Sequence, residues 1–114
     1  MTLHIPIMLY SEANQREHYM AKARRVKWQR HTVMTFLVFN IPRRRPPRKA
    51  VLLTRLMGKR QREFDDDNIR SAFKAVRDAV AKYFRVDDGK RCPWTWAYGQ
   101  ERAEDGVPGV RISW

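Results

Sequence analysis

Two short acidic runs offer this sequence its most distinctive chemistry: Asp65-Asp66-Asp67-Asn68 and, farther along, Asp87-Asp88-Gly89. Each has an ordinary structural use. Asp and Asn cap helix N-termini, acids suit the positive end of a helix dipole, and Asp-Asp-Gly makes a turn. Capping needs one acid, however, and three consecutive aspartates repel one another unless a cation gathers them. In a chain of net charge +12, acids at both ends of one predicted helix point to a hard-cation site. Mg²⁺ takes oxygen ligands from one or two carboxylates. A metal-bound water is a better nucleophile, and the same ion stabilises charge on a phosphodiester in the transition state. The chemistry would then be metal-assisted hydrolysis. No Ser/His/Asp or Cys/His arrangement competes: His4, His18 and His31 all lie in the basic half, and Cys92 stands alone.

The basic residues are as unevenly placed as the acids. Residues 1–60 hold 14 Lys/Arg against two acids, Glu12 and Glu17, whereas residues 61–114 hold 10 against 10. The whole surplus therefore lies in the first half, as a surface for a polyanion would require. A membrane surface would satisfy the same charge; nucleic acid is the favoured partner. A chain of 114 residues with a 43% hydrophobic share is expected to form one domain, 1–114, around a modest core. With one cysteine there is no internal disulfide and no metal knuckle, which fits a reducing cytoplasm. No apolar run approaches the roughly 20 residues of a membrane span. Met1 to Pro6 lacks a basic lead into an apolar stretch, so no signal peptide is expected.

The elements that must carry these residues can be read from periodicity. Leu3, Ile5 and Ile7 alternate with His4, Pro6 and Met8 in a first strand, which Pro6 would keep at a sheet edge. A helix is expected from Ser11 or Glu12 to about Leu37, with a break near His31-Thr32 where β-branched residues begin. Prolines make Ile41 to Lys49 an exposed basic loop. Ala50 to Met57 reads as a strand, followed by the basic patch Lys59-Arg60-Gln61-Arg62. Asn68 to Phe84 is the clearest helix, with one apolar stripe from Ile69 through Phe73, Val76 and Val80 to Phe84. The end reads as a hairpin, Trp94, Trp96 and Tyr98 alternating in one strand and Val110, Ile112 and Trp114 in the next. The order β-α-β-α-β-β predicts an α/β domain with a small mixed sheet and two main helices.

Helix length constrains the acids. Asn68 to Phe84 would span about 24 Å at 1.5 Å per residue, and the four residues from Arg85 to Asp88 extend only about 14 Å. Asp88 is therefore not expected to return to Asp67 within one subunit. In a two-fold dimer with these helices antiparallel, the Asp87-Asp88 end of one copy would meet the Asp65–Asp67 end of the other.

At these residues the chain resembles the RusA family of Holliday junction resolvases, particularly its phage-borne branch. The resemblance is strongest from Asp65-Asp66-Asp67-Asn68 to Asp87-Asp88-Gly89, with Lys74-Ala-Val-Arg-Asp78 between. It extends more loosely to Asn14–His18, Arg24-Arg25-Val26-Lys27 and Tyr98-Gly99-Gln100, and so spans most of the chain. It implies a RusA-like fold and a Mg²⁺-dependent homodimer that makes paired nicks across four-way DNA junctions and completes its metal site between subunits. Mn²⁺ is the other candidate ion. By position it implies Asp65, Asp67 and Asp88 as essential carboxylates, with Asp87 as a neighbouring ligand and Asp66 as an extra acid. The family's essential lysine would fall at Ser71, where this chain has none. Lys74 lies one turn later, seven residues from Asp67, and faces almost the same way on an ideal helix. Arg70 is the other candidate for the charge that steadies the scissile phosphate.

The remaining basic groups would hold DNA by its phosphates without reading sequence. They are Arg43, Arg44, Arg45, Arg48 and Lys49 in the proline-rich loop, Arg24, Arg25, Lys27 and Arg30 on the first helix, Arg60, and Arg70. Trp94, Trp96 and Trp114 alternate as packing residues should, while Trp28 sits amid the basic helix. The rival from another class is a non-enzymatic phage DNA-binding protein or regulator using its basic helix in a groove; a third is a general Mg²⁺ nuclease. Acids near DNA repel phosphate unless a metal intervenes, which favours the enzyme.

Overall fold

Alternation decides the first element. In the computed structural model, which describes residues 1–11, 19–87 and 89–114, Leu3 and Ile5 of β1 (Thr2–Ile5) turn inward. The inward series continues through Ile7 and Leu9 after the strand stops at Pro6. Proline removes a ladder donor, so β1 is an edge strand as expected.

The first helix, α1 (Tyr19–Asn40), buries Gln29, Val33 and Leu37. It runs through His31-Thr32 without the expected break. The Thr35 hydroxyl donates back to the His31 carbonyl at 2.9 Å, and Val33 is fully buried, so packing outweighs the weak helix propensity of the β-branched pair. The helix also continues past Leu37 to Asn40, whose Nδ2 donates to the Phe36 carbonyl at 2.8 Å. Ser11 is not helical; the expected start at Glu12 lies outside the described residues.

Ile41 to Lys49 is the expected loop, tied down by the Tyr83 hydroxyl donating to the Ile41 carbonyl. After β2 (Ala50–Met57) the single helix expected over Asn68–Phe84 comes in two pieces, α2 (Asp66–Ala72) and α3 (Lys74–Tyr83). Phe73, fully buried, sits at the junction with ψ −2°. Its N–H still donates to the Ile69 carbonyl and its carbonyl still accepts from Arg77, so the run bends rather than stops. Arg85 closes α3 at φ 58°. The Val86 N–H reaches Ala81 and the Arg85 N–H reaches Lys82, a Schellman ending with arginine where glycine is usual.

With β3 (Thr95–Arg102) and β4 (Gly109–Ser113) the element order is β-α-β-α-β-β with the second helix divided, and the four strands form one mixed sheet. The expected hairpin between β3 and β4 is not formed. Strand order is β1-β4-β2-β3: β3 runs parallel to β2 on one side, and β4 runs antiparallel to it on the other. The cause is β2 itself, in which Val51 and Leu53 to Met57 are all buried. So buried a strand takes neighbours on both edges. Residues 103–108 need only step over β2, about two strand spacings of 4.8 Å.

The register aligns Leu3, Ile112, Leu53 and Tyr98 across the sheet, and Ile5, Val110, Arg55 and Gln100 in the next inward row. Val33, Leu37, Phe73, Val76 and Val80 pack on this face. The opposite face is open at Leu52 and Ala97. No helix among the described residues is long and apolar enough to cross a membrane.

Candidate functional site

The first acidic run realises its structural role with one residue. Asp65 is the N-cap of α2, its Oδ1 accepting the Asn68 N–H at 2.8 Å. Asp66 and Asp67 follow in the first turn, exposed, and no side-chain hydrogen bond or ion pair holds either carboxylate among the described residues. The Asp67 carbonyl accepts the Ser71 hydroxyl at 3.0 Å.

What places this turn is the loop before it. Gln100 spends both ends of its amide on Phe64: Oε1 accepts the Phe64 N–H at 2.8 Å, and Nε2 donates to the Phe64 carbonyl at 2.7 Å. Arg55 donates from Nη1 to the same Oε1 at 3.1 Å and to the Arg62 carbonyl at 2.8 Å, and its guanidinium lies 3.6 Å from the Phe64 ring centroid. Arg102 holds the other end, donating to the carbonyls of Gly58 at 2.7 Å and Gln61 at 2.9 Å. The loop is thus fastened along its length, with Lys59, Arg60 and Arg62 left exposed. Burial first, and then the charge of Arg102, pulls the pKa of Arg55 below the usual arginine value.

Beyond the acidic turn the same helical run faces a cleft of about 910 Å³. Arg30, Arg70, Lys74 and Arg77 line it opposite Trp96 and Tyr98 of β3. Arg77 is held over the Trp96 ring at 5.0 Å and donates to the Tyr98 hydroxyl at 3.1 Å. Arg30 pairs with Asp78 at 3.3 Å across α1 and α3. The cleft therefore carries four cations and one acid, with two cations already oriented by neighbours. Such a surface suits phosphate oxygens.

The structure brings together three positions considered for the phosphate-steadying charge: Arg70, Ser71 and Lys74 all line this cleft. Gly89 lines it too, so the chain beyond α3 returns to the cleft. Asp87 is exposed and accepts the Gly89 N–H at 2.9 Å within its own turn. Asp88 lies outside the described residues. Asp65, Asp66 and Asp67 are not on the cleft wall, and no group of three His, Cys, Asp or Glu placed to hold a metal exists among the described residues. Asp66 and Asp67 are uncommitted carboxylates and Asp65 has one oxygen engaged, so this turn offers oxygen donors without forming a three-donor group among the described residues.

Of the basic residues expected to hold DNA by its phosphates, Arg30 and Arg70 enter the cleft. Arg44, Arg45, Arg48 and Lys49 surround a separate hollow of about 530 Å³ with Trp114 and Met1. Arg43 lies over the Tyr83 ring at 5.1 Å and Arg25 over Tyr10 at 5.2 Å. Arg24, Lys27 and Arg60 are exposed. Trp94, Trp96, Trp114 and Phe84 form a chain of edge-to-face contacts, so these tryptophans pack rather than offer free faces; Trp28 is 56% exposed. Arg55, Gln100, Arg77 and Trp96 were not foreseen as site residues. One signal was available for Arg55, which shares the parity of the apolar Val51, Leu53 and Met57 in the strand.

Comparison with protein-family models, with curated proteins and with solved structures finds no match for this chain.

Proposed function

We propose that the protein is a Mg²⁺-dependent endonuclease that resolves four-way DNA junctions by paired nicks, as the likeness to the RusA family implies. One observation carries the reading. Carboxylates and a cation-lined cleft follow one another on a single helical run, the capping Asp65 and the uncommitted Asp66 and Asp67 at its start and Arg70, Lys74 and Arg77 beyond. In a chain of net charge +12, exposed acids beside a phosphate-binding surface repel the substrate unless a cation sits between them.

Asp65, Asp67 and Asp88 would hold the ion, with Asp87 beside them and Mn²⁺ as the alternative metal. When bound, the ion supplies an activated water and countercharge at the phosphodiester. Lys74 and Arg70 hold the phosphate, and Arg77, fixed by Trp96 and Tyr98, orients the strand along the cleft. The basic loop residues and α1 take the junction arms. A homodimer completing the metal site between copies, and a cytoplasmic, phage- or prophage-borne setting, belong to the same reading. A monomer with full metal affinity at working concentration would remove the dimer from it.

A second reading, a polyanion-binding protein without catalysis, is favoured by Asp65 acting as a helix cap and by the lack of a three-donor group among the described residues. Incubation with four-way, flap and linear duplex DNA, with and without Mg²⁺, separates the two. Junction cleavage that Asp67→Asn abolishes while binding survives supports the enzyme. Binding without cleavage under any divalent ion selects the second reading, and equal cleavage of linear duplex selects a general nuclease.

A further inference from the structure

Trp28 is the tryptophan that neither the cleft nor the aromatic chain uses. Its ring is 56% exposed and makes no ring contact or hydrogen bond among the described residues. It stands on the side of α1 turned away from the buried Val33 and Leu37. Phe39, 81% exposed, lies three turns on and faces the same way on an ideal helix, with the exposed Val38 beside it. Several exposed apolar side chains on one helix face, rimmed by charges, mark a contact surface.

The charges say what that surface meets. Between Tyr19 and Asn40 the helix has no Asp or Glu, and it carries Lys22, Arg24, Arg25, Lys27 and Arg30. From Tyr19 to Trp28 no residue is buried, so this half of α1 adds cations and no core. A second copy of the face would set cation against cation, whereas a polyanion is attracted. Side chains one helical turn apart have Cβ atoms about 5–6 Å apart, so Trp28 can meet a base while the exposed Arg24 meets a phosphate of the same strand. In a duplex the flat faces of the bases are covered by their neighbours and only their edges show in the grooves. An indole ring can therefore stack only where a base is unpaired or a helix ends.

We infer that the exposed face of α1 binds unpaired nucleotides, with Trp28 stacking on a base while Arg24 and Lys27 hold phosphates beside it. The inference rests on the nucleic-acid part of the proposed function, and not on its metal or its cleavage. It gives the chain a preference for DNA opened at a branch, gap or end, which basic side chains alone do not confer.

The test is fluorescence anisotropy of labelled oligothymidine and of a long linear duplex, titrated with the full chain in the absence of divalent ions, with thermal melts alongside. Trp28→Ala is expected to weaken oligothymidine binding at least about fivefold and duplex binding less than about twofold. Arg24→Gln is expected to weaken both alike and to reduce the salt dependence. Oligothymidine is also expected to quench the tryptophan fluorescence of the wild type. Trp28→Phe, which keeps a ring, is expected to bind nearly as well and to lose most of that quenching. Unchanged oligothymidine affinity in folded Trp28→Ala overturns the inference, and so does an equal loss on duplex. Quenching that survives in Trp28→Phe overturns it even if Trp28→Ala fails to fold. Loss of binding to phosphatidylserine vesicles, or of a dimer in sedimentation, in a Trp28→Ala that still binds oligothymidine normally assigns the face to a membrane or a second copy, and the inference falls. No binding of either DNA by the wild type overturns the nucleic-acid reading itself, and this inference with it.

Discussion

The guanidinium of Arg77 lies 5.0 Å from the ring centroid of Trp96, joining α3 to the edge strand β3 across the cleft. A cation over an aromatic face loses little conformational freedom when it then meets an anion. Arg77→Gln should therefore lower affinity for DNA about tenfold at low salt and reduce the slope of log affinity against log salt by about one. Filter binding over a salt series measures both. An unchanged slope would mean that Arg77 meets no phosphate.

Within the acidic turn the three aspartates should separate by role. Asp65→Ala removes the cap on Asn68 and should cost about 1 kcal/mol in chemical denaturation. Asp66→Ala, exposed and without a partner, should stay within about 0.5 kcal/mol of wild type. Equal losses in both would show that the capping bond is not what stabilises the start of α2.

Arg85 offers a test of backbone strain. It adopts φ 58° at the end of α3, a conformation that costs a side chain about 1–2 kcal/mol and glycine little. Arg85→Gly should raise stability by about 0.5–1 kcal/mol, read from the denaturation midpoint at unchanged m-value.

On the open sheet face, Arg111 donates to Glu101 at 2.6 Å. That hydrogen bond, with the Arg111 charge, holds the Glu101 pKa below its ordinary value, and the Arg111 pKa is raised in return. A carboxylate depressed in the folded state contributes stability above its unfolded pKa and loses it as pH falls through the folded one. The wild type should thus lose a small part of its stability on acidification below the ordinary glutamate range, and Glu101→Gln should remove that part. Because Glu101 is exposed, added salt should shrink the difference. A pH series of melts at two ionic strengths checks both.

Much of the fold was legible because it depends on neighbours in the chain. The alternation of Leu3 with Ile5 and of Val110 with Ile112, the apolar stripe from Ile69 to Phe84, and the prolines of the basic loop all act within a few residues. So does the Asp65 cap. The β3–β4 hairpin was misread because β3 and β4 are adjacent in sequence but β2 lies between them, and pairing preference is set by burial on both edges. The bend at Phe73 was missed because a continuous stripe looks alike in a straight helix and in one that turns around a buried ring.

The sequence by itself determined the local elements, the acidic turn, and the excess of positive charge in the first half, since these follow from residue type and short spacing. Tertiary structure decided which of those charges share a surface. Arg30, Lys74 and Arg77 share a cleft with Trp96 only because α1 packs on α3 and the Arg77 side chain reaches β3. Arg55 meets Gln100, 45 positions away, only because β3 pairs with β2 in parallel at that register. Contacts between residues so far apart depend on strand order, and strand order is settled by the packing of the whole core.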